Sequence, residues 1–147
     1  MPLPLLTLLL ALSSFIPSSL ASPHTLTHSL TSIPTSTLYI GSYSSSIARI
    51  LLSPSGHMQL LGHSPAELNP SWLVFNSHAT HLFAVSEVGD YVNDQYPGSG
   101  AISSYSVQQE GELELVSTVA SGGSAPAHAT LDKTDSCLYV SNYCAGA

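Results

Sequence analysis

The chain has 147 residues and a formal net charge of −7, because only two basic residues, Arg49 and Lys133, stand against nine acidic ones. Nucleic-acid binding requires clustered Lys and Arg to displace counterions from phosphates, and an anionic membrane surface attracts basic segments, so this composition excludes both partners. Charged residues make up 7% of the chain and apolar ones 44%, which indicates that most segments are buried on both faces.

The first residues have the pattern of an export signal. An apolar run over residues 3–16 ends at Pro17, and Ser19 and Ala21 supply small side chains at the spacing that signal peptidase requires. The run is too short to span a membrane comfortably. We therefore expect a signal peptide over 1–21 and a secreted protein without a membrane anchor; a buried N-terminal helix and an uncleaved anchor are the alternatives.

The pattern changes twice after the signal. Residues 22–36 are rich in Ser and Thr and include two prolines, which predicts a flexible surface linker. From residue 37 onward, short apolar or β-branched runs alternate with Gly, Pro, Asn and Ser, as strands alternate with turns. No segment has the periodicity of a convincing amphipathic helix.

An internal repeat indicates the fold. Residues 70–76 align with 126–132 at an offset of 56, and the alignment continues without a gap through the next strand. An earlier copy of that next strand occupies residues 38–43 at an offset of 44, and the segment 56–61 resembles 111–116. Periods of about 40–50 residues with four strands each are typical of β-propeller blades.

The repeat predicts an all-β fold, a partial β-propeller of about two and a half four-stranded antiparallel blades. The blades occupy 37–63, 70–120 and 126–147, and the last is incomplete. The predicted strands are 37–42, 47–52, 58–62, 71–76, 81–86, 101–107, 113–120, 127–131 and 137–142. The first blade lacks its innermost strand, so open blade faces and an unpaired edge should make the chain prone to self-association.

The chain resembles the lactonase-type seven-bladed propeller family, which includes bacterial 6-phosphogluconolactonases and fungal 3-carboxy-cis,cis-muconate cyclases. The similar stretches are LYIGSY from Leu38, NPSWLVFNSHATHLFAVSE from Asn69, GAISSYSV from Gly100 and SGGSAPAHATLDKTDSCLYVSNY from Ser121. The resemblance implies the N-terminal part of a larger ring and a hydrolase that opens a small, sugar-type lactone, inactive as this fragment. The alternatives are a carboxy-muconate cyclase-like isomerase and a non-catalytic extracellular binding platform, since propellers host many unrelated functions.

Four polar residues fall where strand ends of a propeller meet its central channel. Lactone opening needs a base to activate water and a group that stabilises the oxyanion. Glu87 and His128 are therefore the predicted catalytic residues, and Asn142 and Tyr143 the predicted substrate-binding residues. Each also has a structural interpretation: a solvated loop residue for Glu87, a buried core histidine for His128, a turn cap for Asn142 and a packed phenol for Tyr143.

Other chemistry finds less support in the sequence. Asp90 and Asp94 lack the ligand pattern of a calcium loop, so a mobile polar insertion is expected there, with no metal and no cofactor. The two cysteines would lie about 23 Å apart along an extended strand, too far for a disulfide, and Cys137 is predicted to be a small buried residue. No GxSxG elbow occurs, which argues against a serine hydrolase.

The charge of the substrate stays open at this point. Phosphorylated lactones and carboxy-muconates are anions, and sites for them use Arg or Lys. Arg49 falls within a predicted strand and Lys133 within a turn, and neither is an obvious channel residue. Either the substrate is neutral, or the anion is bound by blades that these residues do not include.

Overall fold

A computed structural model describes residues 35–91 and 95–144, so the predicted signal peptide and most of the predicted linker lie outside the described residues. In this part of the chain, nine strands are joined by turns and one short 3-10 turn. The strands are β1 Ser36–Ile40, β2 Ser46–Leu52, β3 Met58–Pro65, β4 Pro70–Phe75, β5 His81–Tyr91, β6 Ser99–Val107, β7 Leu113–Ala120, β8 Pro126–Leu131 and β9 Leu138–Asn142. Among the described residues, no helix is long and apolar enough to cross a membrane.

The strands form three separate antiparallel sheets. Their orders are β1-β2-β3, β4-β5-β6-β7 and β8-β9, and every neighbouring pair is antiparallel. The middle sheet is a complete four-stranded blade in which the chain moves outward one strand at a time. The prediction of an all-β, partial propeller is confirmed.

Strand β5 differs most from its predicted extent. It was expected to end at Ser86, but it continues to Tyr91, which pairs with Ser99 of β6. Glu87 and Asp90 therefore belong to a strand, and the predicted loop or mobile insertion at these two residues is wrong. The error has a physical cause: the pairing partner across the hairpin sets this extension, and the polar sequence gives no strand periodicity. Asp94 lies outside the described residues.

The turns after β4 and β8 have the same geometry, as the offset of 56 requires. Asn76 Oδ1 accepts hydrogen bonds from two backbone N–H groups of its turn, both at 2.9 Å. Asp132 Oδ1 accepts the equivalent bonds from Ser136 and Cys137, at 2.7 and 3.0 Å. Such side chains close a turn by replacing a backbone acceptor, so the repeat is structural as well as sequential.

Cys137 is exposed, and its predicted burial is wrong. The residue lies in the turn before β9, where its N–H is bound by Asp132, and not on a sheet face that packs against a neighbour. Cys144 is also exposed, and the two thiols are not bonded to each other.

Apolar side chains fill the spaces on both sides of the middle sheet. One cluster, towards the first sheet, consists of Ile47, Leu82, Ala84 and Tyr105. The other, towards the third sheet, consists of Val85, Ile102 and Ala129. Since β5 contributes to both clusters, its central residues are apolar without alternation, as in any sheet that is covered on both faces.

The inner strands begin at buried prolines that touch the preceding blade. Pro70 begins β4 and Pro126 begins β8, and both side chains are fully buried. A Cβ at Gly41 would overlap the carbonyl group of Pro70, and one at Gly100 would overlap the ring of Pro126. Glycine thus permits the close approach that positions each inner strand.

Candidate functional site

All four predicted site residues lie near one end of the sheets. At this end, which we call the site end, β4 and β8 begin, with Pro70 paired to Ser86 and Pro126 paired to Asn142. Glu87 and Tyr143 directly follow these pairs, and the offset of 56 makes their positions equivalent. The antiparallel pairing within each of these two blades thus brings the polar residues to the same end.

A repeated backbone link fixes these positions. Asn69 and Ala125, one residue before each inner strand, have positive φ angles of 56° and 51°. Their carbonyl oxygens accept hydrogen bonds from the N–H groups of Glu87, at 3.0 Å, and Tyr143, at 2.8 Å. Their own N–H groups bind carbonyls of the preceding blade at 2.7 and 2.8 Å. The main chain beside each site residue is therefore held from two blades.

A phenol of the first blade holds the carboxylate of the second. The Tyr43 hydroxyl donates a hydrogen bond to Glu87 Oε2 at 2.9 Å, and the offset of 44 makes Tyr43 the equivalent of Glu87. This bond to a carboxylate raises the pKa of Tyr43, so the phenol keeps its proton. Glu87 is half-buried. An oriented carboxylate next to solvent has the geometry of a general base.

A second pair forms between the two inner strands. The ring centroids of Trp72 and His128 are 4.2 Å apart, with the planes tilted by 43°, and Trp72 Nε1 donates a hydrogen bond to the Ala129 carbonyl at 2.9 Å. A β-bulge precedes each ring, at Ser71 and Ala127, and bulges re-aim the side chains that follow them. His128 is exposed, so its interpretation as a buried core histidine is wrong.

The two predicted binding residues differ in their surroundings. Asn142 is half-buried, and its Nδ2 donates to the Ser121 carbonyl at 3.3 Å. Its Oδ1 is buried and has no hydrogen-bond partner among the described residues. Tyr143 has 79% of its surface exposed, so it does not pack as a buried phenol.

The site end thus holds two polar pairs on neighbouring blades. Within the described residues, no side-chain hydrogen bond or ring contact joins the Tyr43–Glu87 pair to the Trp72–His128 pair. Sequence reasoning did not select Tyr43 or Trp72. The internal repeat could have identified both residues, since an offset of 44 aligns Tyr43 with Glu87 and an offset of 56 aligns Trp72 with His128.

The electrostatic surroundings of the site end are acidic. A cleft of about 310 Å³ beside β5 is lined by Glu67, Leu68, Ser86, Val88, Asp90 and Tyr91. The Ser86 hydroxyl donates to the carbonyl of Leu68. Over residues 35–91 and 95–144, no group of three or more His, Cys, Asp or Glu side chains could hold a metal ion.

Both basic residues of the chain lie elsewhere. Arg49, in the middle of β2, pairs with Glu112 at 3.3 Å and has 12% of its side chain exposed. Lys133 lies in the turn between β8 and β9, at the opposite end of the blades from the site end. The described part of the site end therefore presents carboxylates, aromatic rings and an amide.

Comparisons with known proteins agree with this architecture. A sequence model of the family described as lactonase, 7-bladed beta-propeller, matches residues 37–147. A 6-phosphogluconolactonase of Formosa agariphila is 32% identical over 90 residues, which cover 60% of this chain and 24% of that protein.

Solved structures of two proteins with related names are also similar to this chain. The periplasmic gluconolactonase of Pseudomonas aeruginosa has a TM-score of 0.65 at 26% identity, covering 75% of this chain and 31% of that chain. A candidate 6-phosphogluconolactonase of Bacteroides uniformis has a TM-score of 0.64 at 28% identity, covering 76% and 31%. The chain spans between 24% and 31% of the length of these proteins.

Proposed function

Because this chain belongs to the lactonase family of seven-bladed β-propellers, we propose that its site end contributes to a site that hydrolyses a small, sugar-type lactone. The observation that carries the proposal is the hydrogen-bonded Tyr43–Glu87 pair, which orients a carboxylate at the site end of two successive blades. The names of the relatives, a 6-phosphogluconolactonase and a gluconolactonase, support this class of reaction.

The roles follow from what lactone hydrolysis requires. Water attacks the carbonyl carbon and loses a proton, the carbonyl oxygen becomes negatively charged, and the ring C–O bond breaks as the ring oxygen gains a proton. In this proposal one oxygen of the Glu87 carboxylate accepts the proton of water, while the Tyr43 hydroxyl donates its hydrogen bond to the other oxygen, Oε2. His128 donates the proton that the ring oxygen gains as its C–O bond breaks, and Asn142 and Tyr143 bind the substrate.

The test uses Glu87→Gln and His128→Ala in the full-length exported protein, with gluconolactone and carboxy-muconolactone as substrates. Loss of a general acid or base should lower kcat for gluconolactone by about 10²- to 10⁴-fold. His81→Ala is the matched control, because His81 lies at the start of β5, at the other end of the blade; it should retain full turnover.

Each outcome has a distinct meaning. Undiminished turnover in both variants contradicts the assignment of Glu87 and His128. Turnover of carboxy-muconolactone alone would identify a cyclase-like isomerase, and binding without turnover of either compound would identify a binding platform.

Export belongs to the same proposal. The apolar segment and the small residues before Ser22 support cleavage after Ala21, and one structural relative is named a periplasmic enzyme. N-terminal sequencing of the secreted protein should start at Ser22; an N-terminus at Met1 would contradict the proposal.

A further inference from the structure

We propose that Trp72 determines specificity at the site end: with His128 it forms a stacking platform for the ring of an uncharged, sugar-type lactone and disfavours phosphorylated rings. The inference rests on the proposed function only in taking the bound ring to be hydrolysed. Binding of the ring to the platform can be measured without any turnover.

Trp72 is both exposed and held in place. It lies on β4, one of the two edge strands of the middle sheet, with 40% of its surface exposed. The hydrogen bond from Nε1 to the Ala129 carbonyl spans the gap between two blades and fixes the indole. A side chain that is already fixed loses little conformational entropy when a ligand binds.

His128 completes the platform. Its imidazole packs against the indole at 4.2 Å, and among the described residues it makes this ring contact without a hydrogen bond. Its nitrogens can therefore bind a hydroxyl group of a ligand. The face of an indole carries partial negative charge and attracts groups with a positive edge, such as the C–H groups on one face of a sugar ring.

Charge decides which rings fit. Glu87 lies at the same end, and Glu67 and Asp90 line the neighbouring cleft. Arg49 is paired with Glu112, and Lys133 is in the turn at the opposite end. Among the described residues, the site end offers a phosphate group carboxylates and no Lys or Arg to pair with, which disfavours its binding. A neutral ring avoids this cost.

The chain offers a direct reporter, because Trp72 is its single tryptophan. The full chain is titrated with 1,5-anhydro-D-glucitol, a neutral ring without a lactone bond, and with its 6-phosphate. We expect a saturable change in Trp72 emission with the neutral ring and at least about tenfold weaker binding of the phosphate. Fluorescence is read at low protein concentration, which limits association of the chain.

Two substitutions at Trp72 separate aromatic stacking from space filling. Calorimetry should show that Trp72→Phe binds the neutral ring within about threefold of the unmodified chain, whereas Trp72→Leu weakens it about tenfold. Equal binding by the Leu variant, or tighter binding of the phosphate by the unmodified chain, would overturn the proposal.

A substitution at His128 keeps the proposal testable if the variants at Trp72 do not fold. His128→Asn keeps the indole and should also weaken binding of the neutral ring; unchanged affinity there contradicts the platform. Failure of the proposed function looks different, since a protein that binds the ring through Trp72 but opens no lactone loses the hydrolase assignment and keeps the platform.

Discussion

At residue 100 the backbone of β6 approaches the start of β8, and the space beside it admits no side chain. A Cβ there would overlap the ring of Pro126, which is fully buried and cannot move aside. Gly56 offers a contrast, since no atom lies within 4 Å of its Cβ position, although its φ of +83° disfavours other residues.

These two glycines give a prediction about stability. Gly100→Ala should lower the free energy of unfolding by about 3 kcal/mol, because a packed interface must shift. Gly56→Ala should cost about 1 kcal/mol, which reflects the backbone angle alone. Urea unfolding of the full-length exported protein, followed by circular dichroism, measures both; equal losses would show that the approach of Gly100 to Pro126 does not matter.

Single residues also show how far sequence reasoning reaches. Glu87 and His128 could be selected because each follows a recognisable strand or proline at a repeated position. Tyr43 and Trp72 could not, because a repeat identifies equivalent positions and does not show which side chains meet across two blades. The environment of Cys137 was misjudged for a related reason, since one residue separates the turn from the covered face of β9.

At the scale of elements, the turns after β4 and β8 differ at one informative position. Asn76 closes the first turn and Asp132 the second. The Thr134 hydroxyl and backbone N–H groups of the turn bind the Asp132 carboxylate and lower its pKa from the ordinary value of an Asp side chain. A carboxyl group with a lowered pKa stabilises the folded state above its unfolded pKa, and this contribution is lost as the pH falls through the folded pKa.

The β8–β9 hairpin should therefore loosen below about pH 3.8 in a way that depends on Asp132. Hydrogen exchange of the Ser136 and Cys137 amides should accelerate relative to the Thr80 and His81 amides as the pH decreases. Asp132→Asn copies the other turn and should abolish this difference. The same acceleration in the Asn variant would assign the effect to Asp135, whose pKa is lowered mainly by its hydrogen bond from the Ser77 side chain.

Most strands could be predicted because turn residues and β-branched runs are local signals. Strand β7 has the predicted bounds, and β2, β4 and β8 begin one residue earlier than expected. The extension of β5 could not be predicted, since its pairing with Ser99 depends on a partner across a polar hairpin. Local chemistry defines the strands of a blade, and long-range pairing defines their length.

At the scale of the whole molecule, the first and third sheets both expose large apolar or aromatic side chains over residues 35–91 and 95–144. Met58 and Leu60 of β3 are 62% and 56% exposed, and Tyr139 of β9 is 61% exposed. In the described part of the chain, strand β9 also lies at an edge of its sheet, with β8 as its one strand partner. Such surfaces promote association between chains.

Residues 22–147 expressed by themselves should consequently self-associate and lack lactonase activity. Size-exclusion chromatography should show oligomers, and thermal unfolding should lack a single cooperative transition. Tyr139→Lys places a charge on the free edge and should shift the population towards monomer. A monodisperse, active monomer with a cooperative transition would contradict this expectation.

The backbone links at Asn69 and Ala125 have a consequence for biosynthesis. Each link uses a carbonyl of the preceding blade, at Ser44 and Val88, which leaves the ribosome before the strand it binds. Because synthesis runs from the N-terminus, the carbonyl that each link uses is made before β4 and before β8. A blade can thus take its place beside its predecessor before the ring closes.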